Sequence, residues 1–208
     1  MNDRNNPFSM GFTDNSFPES HHICLIYDNE EQRREIVSEY ISDGFRNGEL
    51  IRYFYDTTEP ETVRSWLLEM GMEIPESDDI GPLRISCAEK AYCMGGSFDP
   101  RKMIDSMPSR YDSAKKAGFS GTRSCGEMTW ALKGISGSDR LLEYEALINT
   151  IDNPFPHSGM CQYDARLFDG ATIFKILQVH PYMIAHGQIV RNPFYIKPQE
   201  FMAEWNLK

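Results

Sequence analysis

The chain reads as an α/β protein of three layers, with a mainly parallel sheet, helices on both faces and an antiparallel hairpin near the C-terminus. Three observations predict this. Short apolar or aromatic runs alternate with helical patterns about five times, which is how a parallel sheet with crossover helices is written. Ser38–Trp66 shows one full unit, as helix, turn, strand, turn and helix. Near the end, His186-Gly187 separates two short strand-like runs, as a tight hairpin requires.

The elements follow in order. Residues 1–20 are rich in Asn, Ser, Pro and Gly and read as a flexible or loosely docked arm. His21–Asp28 is a first strand, with Ile23, Cys24, Leu25 and Ile26 uninterrupted, and Asp28 is placed to cap the next helix. That helix carries Ile36, Val37, Tyr40, Ile41 and Phe45 at helical spacing and stops at Asn47-Gly48. Leu50–Tyr55 is a buried strand. Asp56-Thr57-Thr58 offers a cap and Pro60 a first turn for a helix bearing Val63, Trp66, Leu67 and Met70. Residues 74–82 read as a polar connector and Leu83–Cys87 as a third strand. Ala88–Asp99, with Gly95-Gly96, reads as an irregular loop or short insertion. Pro100–Gly118 is a helix, and Thr122–Trp130 is a strand in which Gly126 implies close approach of another group. Ser138–Ile151 is a helix, Met160–Tyr163 a strand, and Asp169–Val179 a helix stopped by His180-Pro181. Tyr182–Ala185 and Gln188–Val190 form the hairpin, and a turn over Gln199–Trp205 closes the chain.

At 208 residues one domain over residues 21–208 is expected, large enough for a real core. The formal net charge of −10 disfavours unaided binding to nucleic acid or anionic membrane, which needs clustered Lys and Arg. No apolar run approaches the roughly 20 residues that span a bilayer, and the N-terminus lacks a signal pattern. A cytoplasmic protein is the expectation. The five cysteines are scattered with no C-x-x-C pair, so reduced and mostly buried thiols are the plain reading.

Ligands of doubly wound sheets sit outside the carboxyl ends of the strands. Here those ends carry an aromatic and acidic rim that includes Tyr27, Asp28, Tyr55, Glu127, Tyr163 and Asp164. Such a rim suits a small polar or weakly apolar ligand better than a polyphosphate. The segment Ile36–Trp66 resembles the circadian-clock and recombinase type of ATPase (the RecA/KaiC-like fold) just after its phosphate loop. Where that loop should stand the chain reads Tyr27-Asp28-Asn29-Glu30-Glu31-Gln32-Arg33. The glycines and lysine that cradle phosphates are missing, so no ATPase activity is expected.

A wider resemblance covers roughly residues 20–201. Its carriers are His22–Tyr27, Gly44–Tyr55, Gly126–Trp130, Leu142–Glu145, Cys161–Asp164, His180-Pro181 and Asn192–Tyr195, in order and spacing. These resemble the methanogen/methylotroph DcmR sensory domain, a degenerate recombinase-like fold. The resemblance implies a non-catalytic role in signal transduction or transcription regulation, with small hydrocarbon derivatives or compounds of one-carbon metabolism as ligands and no cofactor. Members of that family are often fused to a DNA-binding or kinase module. No such module is recognisable here, so the output is expected to need a separate regulatory partner or a fused module removed from this chain, and a homodimer is plausible for such folds.

The ligand-binding residues expected are Tyr27, Asp28, Tyr55, Glu127, Trp130, Tyr163 and Asp164, with His22. Each also has an ordinary reading. His22 on an apolar strand is commonly a hydrogen-bonded structural residue, and His180 at a helix end suits the dipole. Glu127 would have a raised pKa if desolvated, fitting proton transfer or a cationic ligand, and a capping carboxylate otherwise. As an enzyme the chain would use Glu127 as general base, without a nucleophile–base pair or metal motif at recognisable spacing. Glu143 and Glu145 lie two apart on a helix, so no carboxylate dyad is expected and one of them reads as solvated. Asp164 and Arg166 read as a surface ion pair. The alternative is a thiol-based redox or metal sensor using Cys24, Cys87, Cys125 and Cys161, all in strands. No metal site is otherwise expected.

Overall fold

A computed structural model describes residues 9–13, 21–74 and 81–205. Seven strands are β1 (His21–Tyr27), β2 (Leu50–Tyr55), β3 (Leu83–Cys87), β4 (Thr122–Glu127), β5 (His157–Asp164), β6 (Tyr182–Ala185) and β7 (Gln188–Arg191). They form one sheet in the order β3-β2-β4-β5-β1-β6-β7. All neighbouring pairs are parallel except β6 and β7, the expected terminal hairpin. His186 at its turn has φ 51°, and Gly187 follows with φ 70°.

The helices are α1 (Glu30–Arg46), α2 (Pro60–Glu69), α3 (Ala88–Tyr92), α4 (Pro100–Lys116), α5 (Leu141–Ile148), α6 (Gly170–Val179) and α7 (Pro198–Glu204). Connections that run one way along the sheet put α1 and α2 on one face, where Ile36, Val37, Val63 and Leu67 pack on Ile23, Leu25, Ile51 and Tyr53. Connections that run back put α3 to α6 on the other, where Tyr92, Met103, Tyr144 and Ile176 pack on Cys24, Cys161 and Tyr163. The right-handedness of parallel crossovers dictates this split.

Several boundaries differ from the sequence reading. Asn29, not Asp28, caps α1, because its side-chain oxygen reaches the Glu31 and Gln32 amides while Asp28 points to solvent. Asp56, Thr57 and Thr58 do not cap α2, whose N-cap Glu59 makes no side-chain bond. The irregular loop at Ala88 begins with α3, a five-residue helix too short for a periodic signal. β4 ends at Glu127, and Thr129–Lys133 turn as a 3-10 helix. β5 starts three residues earlier than its apolar run, at His157, because His157, Ser158 and Gly159 pair with β4 and the last two also with β1. The last turn is a helix, α7, opened by Pro198. Ser9–Thr13 of the arm, read as flexible or loosely docked, lie against the domain, with Met10 0 % exposed. The rest of that arm, and residues 75–80 of the polar connector, fall outside the described residues.

Gly126 fulfils its expectation. A Cβ there would stand 2.9 Å from the Tyr92 hydroxyl oxygen and 3.1 Å from Met128 Cε, so α3 can pack down on β4 only over a glycine.

Candidate functional site

Three polar or concave regions sit on this frame. The first lies at the carboxyl edge, where β1 passes into α1 through Asp28-Asn29 alone. Arg33, one turn into α1, lies flat across the strand ends and is 2 % exposed. Its Nη2 donates to Glu127 Oε1 at 2.8 Å, to the Tyr53 hydroxyl at 3.0 Å and to Thr58 Oγ1 at 2.9 Å. Its Nε donates to Gln162 Oε1 at 2.8 Å, and its guanidinium lies 4.8 Å from the Tyr27 ring centre. Glu127 Oε1 also accepts from the Tyr53 hydroxyl at 2.7 Å. Its Oε2 accepts from the amides of Asp56, Thr57 and Thr58 and from the Thr57 hydroxyl, at 2.7–3.1 Å. Burial would raise the Glu127 pKa, but Arg33, Tyr53 and the loop amides outweigh it, and the net shift is downward. The raised pKa expected from desolvation is therefore corrected. Glu127 is a fixed anion that ties the loop after β2 to β4.

The other rim residues surround this clamp unevenly. Asp164 pairs with Arg166 at 2.6 Å, as expected, and Arg166 also reaches Glu30. Asp28 is exposed and Tyr55 half-buried. Trp130 lies apart, stacked on Tyr92 at 5.0 Å and edge-on to Phe98 at 4.8 Å inside the other layer.

The second region is a buried cluster of His22 on β1, Glu145 on α5, Cys161 on β5 and His180 at the end of α6. Their ligand-type atoms all lie within 4.8 Å of one another. Tyr163 donates its hydroxyl to Glu145 Oε1 at 2.8 Å. Neither Glu143, 3 % exposed, nor Glu145, 0 % exposed, is solvated, which corrects that reading. Glu143 is held by Arg140. Burial would raise the Glu145 pKa, but His180 and His22 outweigh it and hold the carboxyl well below its usual range. Burial, then His180, pulls the His22 pKa down.

The third region is a cavity of about 350 Å³ between the sheet and the helices α4 and α5. The amino-terminal halves of β4, β5 and β1 border it, so it lies away from the carboxyl rim. Phe54, Tyr92, Met103, Met107 and Ile148 give apolar wall, and Gly126 and Gly159 keep the floor low. Arg52 and Arg110 border it without a carboxylate partner among the described residues. Burial, then Arg110 and Arg84, push the Arg52 pKa down. Of the eight residues expected to bind ligand, His22 borders this cavity, and Tyr27, Asp28, Tyr55, Glu127, Trp130, Tyr163 and Asp164 do not.

The cysteines do not gather. Cys24 and Cys161 are register partners. Yet Cys24 Sγ turns to the Tyr182 carbonyl, Cys125 accepts from Gln162, and Cys161 joins the histidine cluster. Burial pushes the thiols of Cys24 and Cys125 up to about 12, and raises that of Cys161 well above its usual value. Thiolate, not thiol, reacts with disulfide reagents. Titration of the native chain with such a reagent should therefore give a fast phase from half-buried Cys87 and slow or no reaction at Cys24, Cys125 and Cys161. Five fast thiols would contradict this.

Arg33, Arg52 and Arg110 were not expected at a site, and Glu145 was read with Glu143 only as no dyad, one of the two being solvated. A signal existed for Glu145, since it stands in Leu141–Ile148, LLEYEALI, with apolar neighbours on every side. A carboxylate in a helix that is apolar all round is buried, and a buried carboxylate needs partners. Arg52 stands likewise within an aromatic strand.

Comparison with known proteins agrees with this architecture. A KaiC-like protein from Pyrococcus horikoshii OT3 superimposes with TM-score 0.59 at 12 % identity, over 86 % of this chain and 79 % of that one. An uncharacterized P. horikoshii protein, solved with an unknown peptide, gives TM-score 0.60 at 13 % identity over 82 % of each chain. The transcriptional repressor DcmR of Methylorubrum extorquens is 25 % identical over 162 residues, which is 76 % of this chain but 57 % of the repressor. No helix among the described residues is long and apolar enough to cross a membrane. The model of the methanogen/methylotroph DcmR sensory-domain family matches residues 21–181, and the chain belongs to that family.

Proposed function

We propose that this chain is a non-catalytic sensory module whose ligand is a small organic anion, held in the cavity between the sheet and α4–α5. The observation that carries the reading is the pair Arg52 and Arg110, which border a cavity of mixed apolar and polar lining and lack carboxylate partners among the described residues. Arg52 and Arg110 are half-buried, and partial desolvation of a cation without a counter-ion is unfavourable; a ligand carboxylate would supply one while its hydrocarbon body covers Met103, Met107 and Phe54. Water occupies about 30 Å³ in the liquid, so the cavity of about 350 Å³ suits a ligand of several carbons better than a one-carbon compound. Family membership and the likeness to a transcriptional repressor support a regulatory role. The output would pass to a DNA-binding or kinase partner, and self-association is part of the same proposal. A lack of catalysis fits Glu127, whose oxygens are taken by six donors.

Thermal shift across short organic acids and their neutral amides tests the reading. A ligand at 100 times its Kd stabilises by about 2.7 kcal/mol, or roughly 5–11 °C for a chain of this size. Acids should raise the melting temperature where amides do not, and Arg52→Leu should abolish the rise while the chain stays folded. No shift with any acid, or the same shift with amide and acid, would sink the anion reading.

A further inference from the structure

The geometry points to a buried site for a divalent cation of the zinc class, held by His22, Glu145, Cys161 and His180. The inference stands apart from the ligand cavity, although His22 and Cys161 border both.

His180 Nδ1 lies 2.7 Å from the Ile176 carbonyl, which can only accept, so Nδ1 carries the proton. Its Nε2 is then the atom turned toward Glu145. That atom is fully buried, has no hydrogen-bond partner and stands 3.4 Å from Glu145 Oε2. Asn149 donates its amide hydrogens to the carbonyls of Glu145 at 3.0 Å and Val179 at 2.7 Å. Its oxygen therefore faces His22 Nδ1 at 3.2 Å and takes the proton of that ring. His22 Nε2 lies 2.8 Å from the same Glu145 Oε2, a hydrogen-bond distance that needs a proton between them. Two imidazole nitrogens, a carboxylate oxygen and a thiol thus converge, and His180 Nε2 has no hydrogen-bond partner among them. A divalent ion would take the place of the protons these groups share, with the Cys161 thiol proton released to solvent.

Distances and surroundings agree. Cys161 Sγ lies 3.5 Å from His22 Nε2 and 3.5 Å from Glu145 Oε2. Tetrahedral bonds of about 2.0–2.3 Å put ligand atoms about 3.3–3.7 Å apart. The observed set needs small side-chain shifts to close on an ion. Each imidazole already hands its other nitrogen to a fixed acceptor, and Tyr163 holds the second Glu145 oxygen, the outer-shell pattern typical of metal-binding histidines. Two nitrogens, one sulfur and one oxygen in a closed shell suit zinc. The four ligands come from β1, α5, β5 and the end of α6, so the ion would fasten two central strands to two helices.

The test is to strip the purified chain with a chelator and titrate it with Co²⁺ and Zn²⁺. One Co²⁺ per chain is expected, with a thiolate-to-cobalt charge-transfer band that Cys161→Ser removes and Cys24→Ser leaves intact. Asn149→Ala should weaken Zn²⁺ binding by about 10–100-fold through its effect on His22. Should Cys161→Ser fail to fold, X-ray absorption on the Zn²⁺-loaded wild-type chain decides. One sulfur at about 2.3 Å with three nitrogen or oxygen neighbours supports the site; no sulfur, or two or more, overturns it. Failure of the stripped, folded chain to bind either ion overturns it as well.

Discussion

Replacing Arg33 by Met is expected to lower the stability of the chain by about 3–5 kcal/mol, the usual cost of leaving one member of a buried ion pair alone. The methionine fills much of the same channel under Tyr27, so the effect reports charge and hydrogen bonding rather than a hole. What it strands is Glu127, whose side chain is 1 % exposed. In a chain of this size the loss corresponds to roughly 6–20 °C in melting temperature. Combining Arg33→Met with Glu127→Gln should cost less than the sum of the two, because the second change removes the charge that the first left unpaired. Strict additivity would show that the two side chains do not act as a pair. The same carboxylate sets an acid limb. Its folded pKa lies below the ordinary 4.5, so the unfolded chain takes up the proton first as pH falls. The contribution of Glu127 is complete at neutral pH and drains away below about pH 4.5. Urea midpoints measured from pH 7 to pH 3.5 should fall less steeply in Glu127→Gln than in the wild-type chain.

The second large effect is expected at Arg123, on the other edge of the sheet. Its guanidinium, 0 % exposed, donates to both Glu49 oxygens at 2.8 and 2.9 Å and to the Tyr40 and Ser9 carbonyls at 2.8 and 3.0 Å. Gly44 makes room for it, since a Cβ there would lie 2.8 Å from Nε. Arg123→Met should again cost about 3–5 kcal/mol. It should also release the segment around Ser9, which limited proteolysis would detect as faster cleavage near Met10. Gly44→Ala should destabilise in the same direction, because Arg123 is boxed in and cannot retreat. A melting temperature unchanged by either substitution would contradict this account.

These two arginines mark where sequence reading stops. β1, β2 and β3 were legible nearly to the residue, because Ile23–Ile26 is an unbroken apolar run, Leu50–Tyr55 is mostly aromatic or β-branched, and Leu83–Cys87 alternates apolar Leu83 and Ile85 with polar residues. The helix faces were legible for the same reason. A charged side chain in a helix announces the opposite, and Arg33 sits in EEQRREIV as one more polar residue. Its burial follows from Glu127, 94 residues later. Glu145 and His180 are likewise defined by each other and by His22, from three separate elements. The tyrosines and acids do stand at the carboxyl ends of the strands, with Arg33 among them; the cavity between the sheet and α4–α5 lies on the opposite face, where no single stretch of sequence describes it. The lost phosphate loop was legible, because a connector of Asp28-Asn29 has neither the length nor the glycines to wrap a phosphate.

β5 is the middle strand of seven, and its side chains point alternately to the two layers. Gly159 and Cys161 face the cavity and the histidine cluster. Gln162, the very next residue, holds Arg33 and the thiol of Cys125 on the reverse side. A strand hydrogen-bonded on both edges moves as one rod, so the two networks share a single mechanical element. A shift of β5 at Cys161 would act on the same strand that, through Gln162, holds Arg33 and with it the loop after β2. The sheet is thus an axle between its two coats of helices, and the loop after β2 is the place to look for motion when the opposite face is loaded.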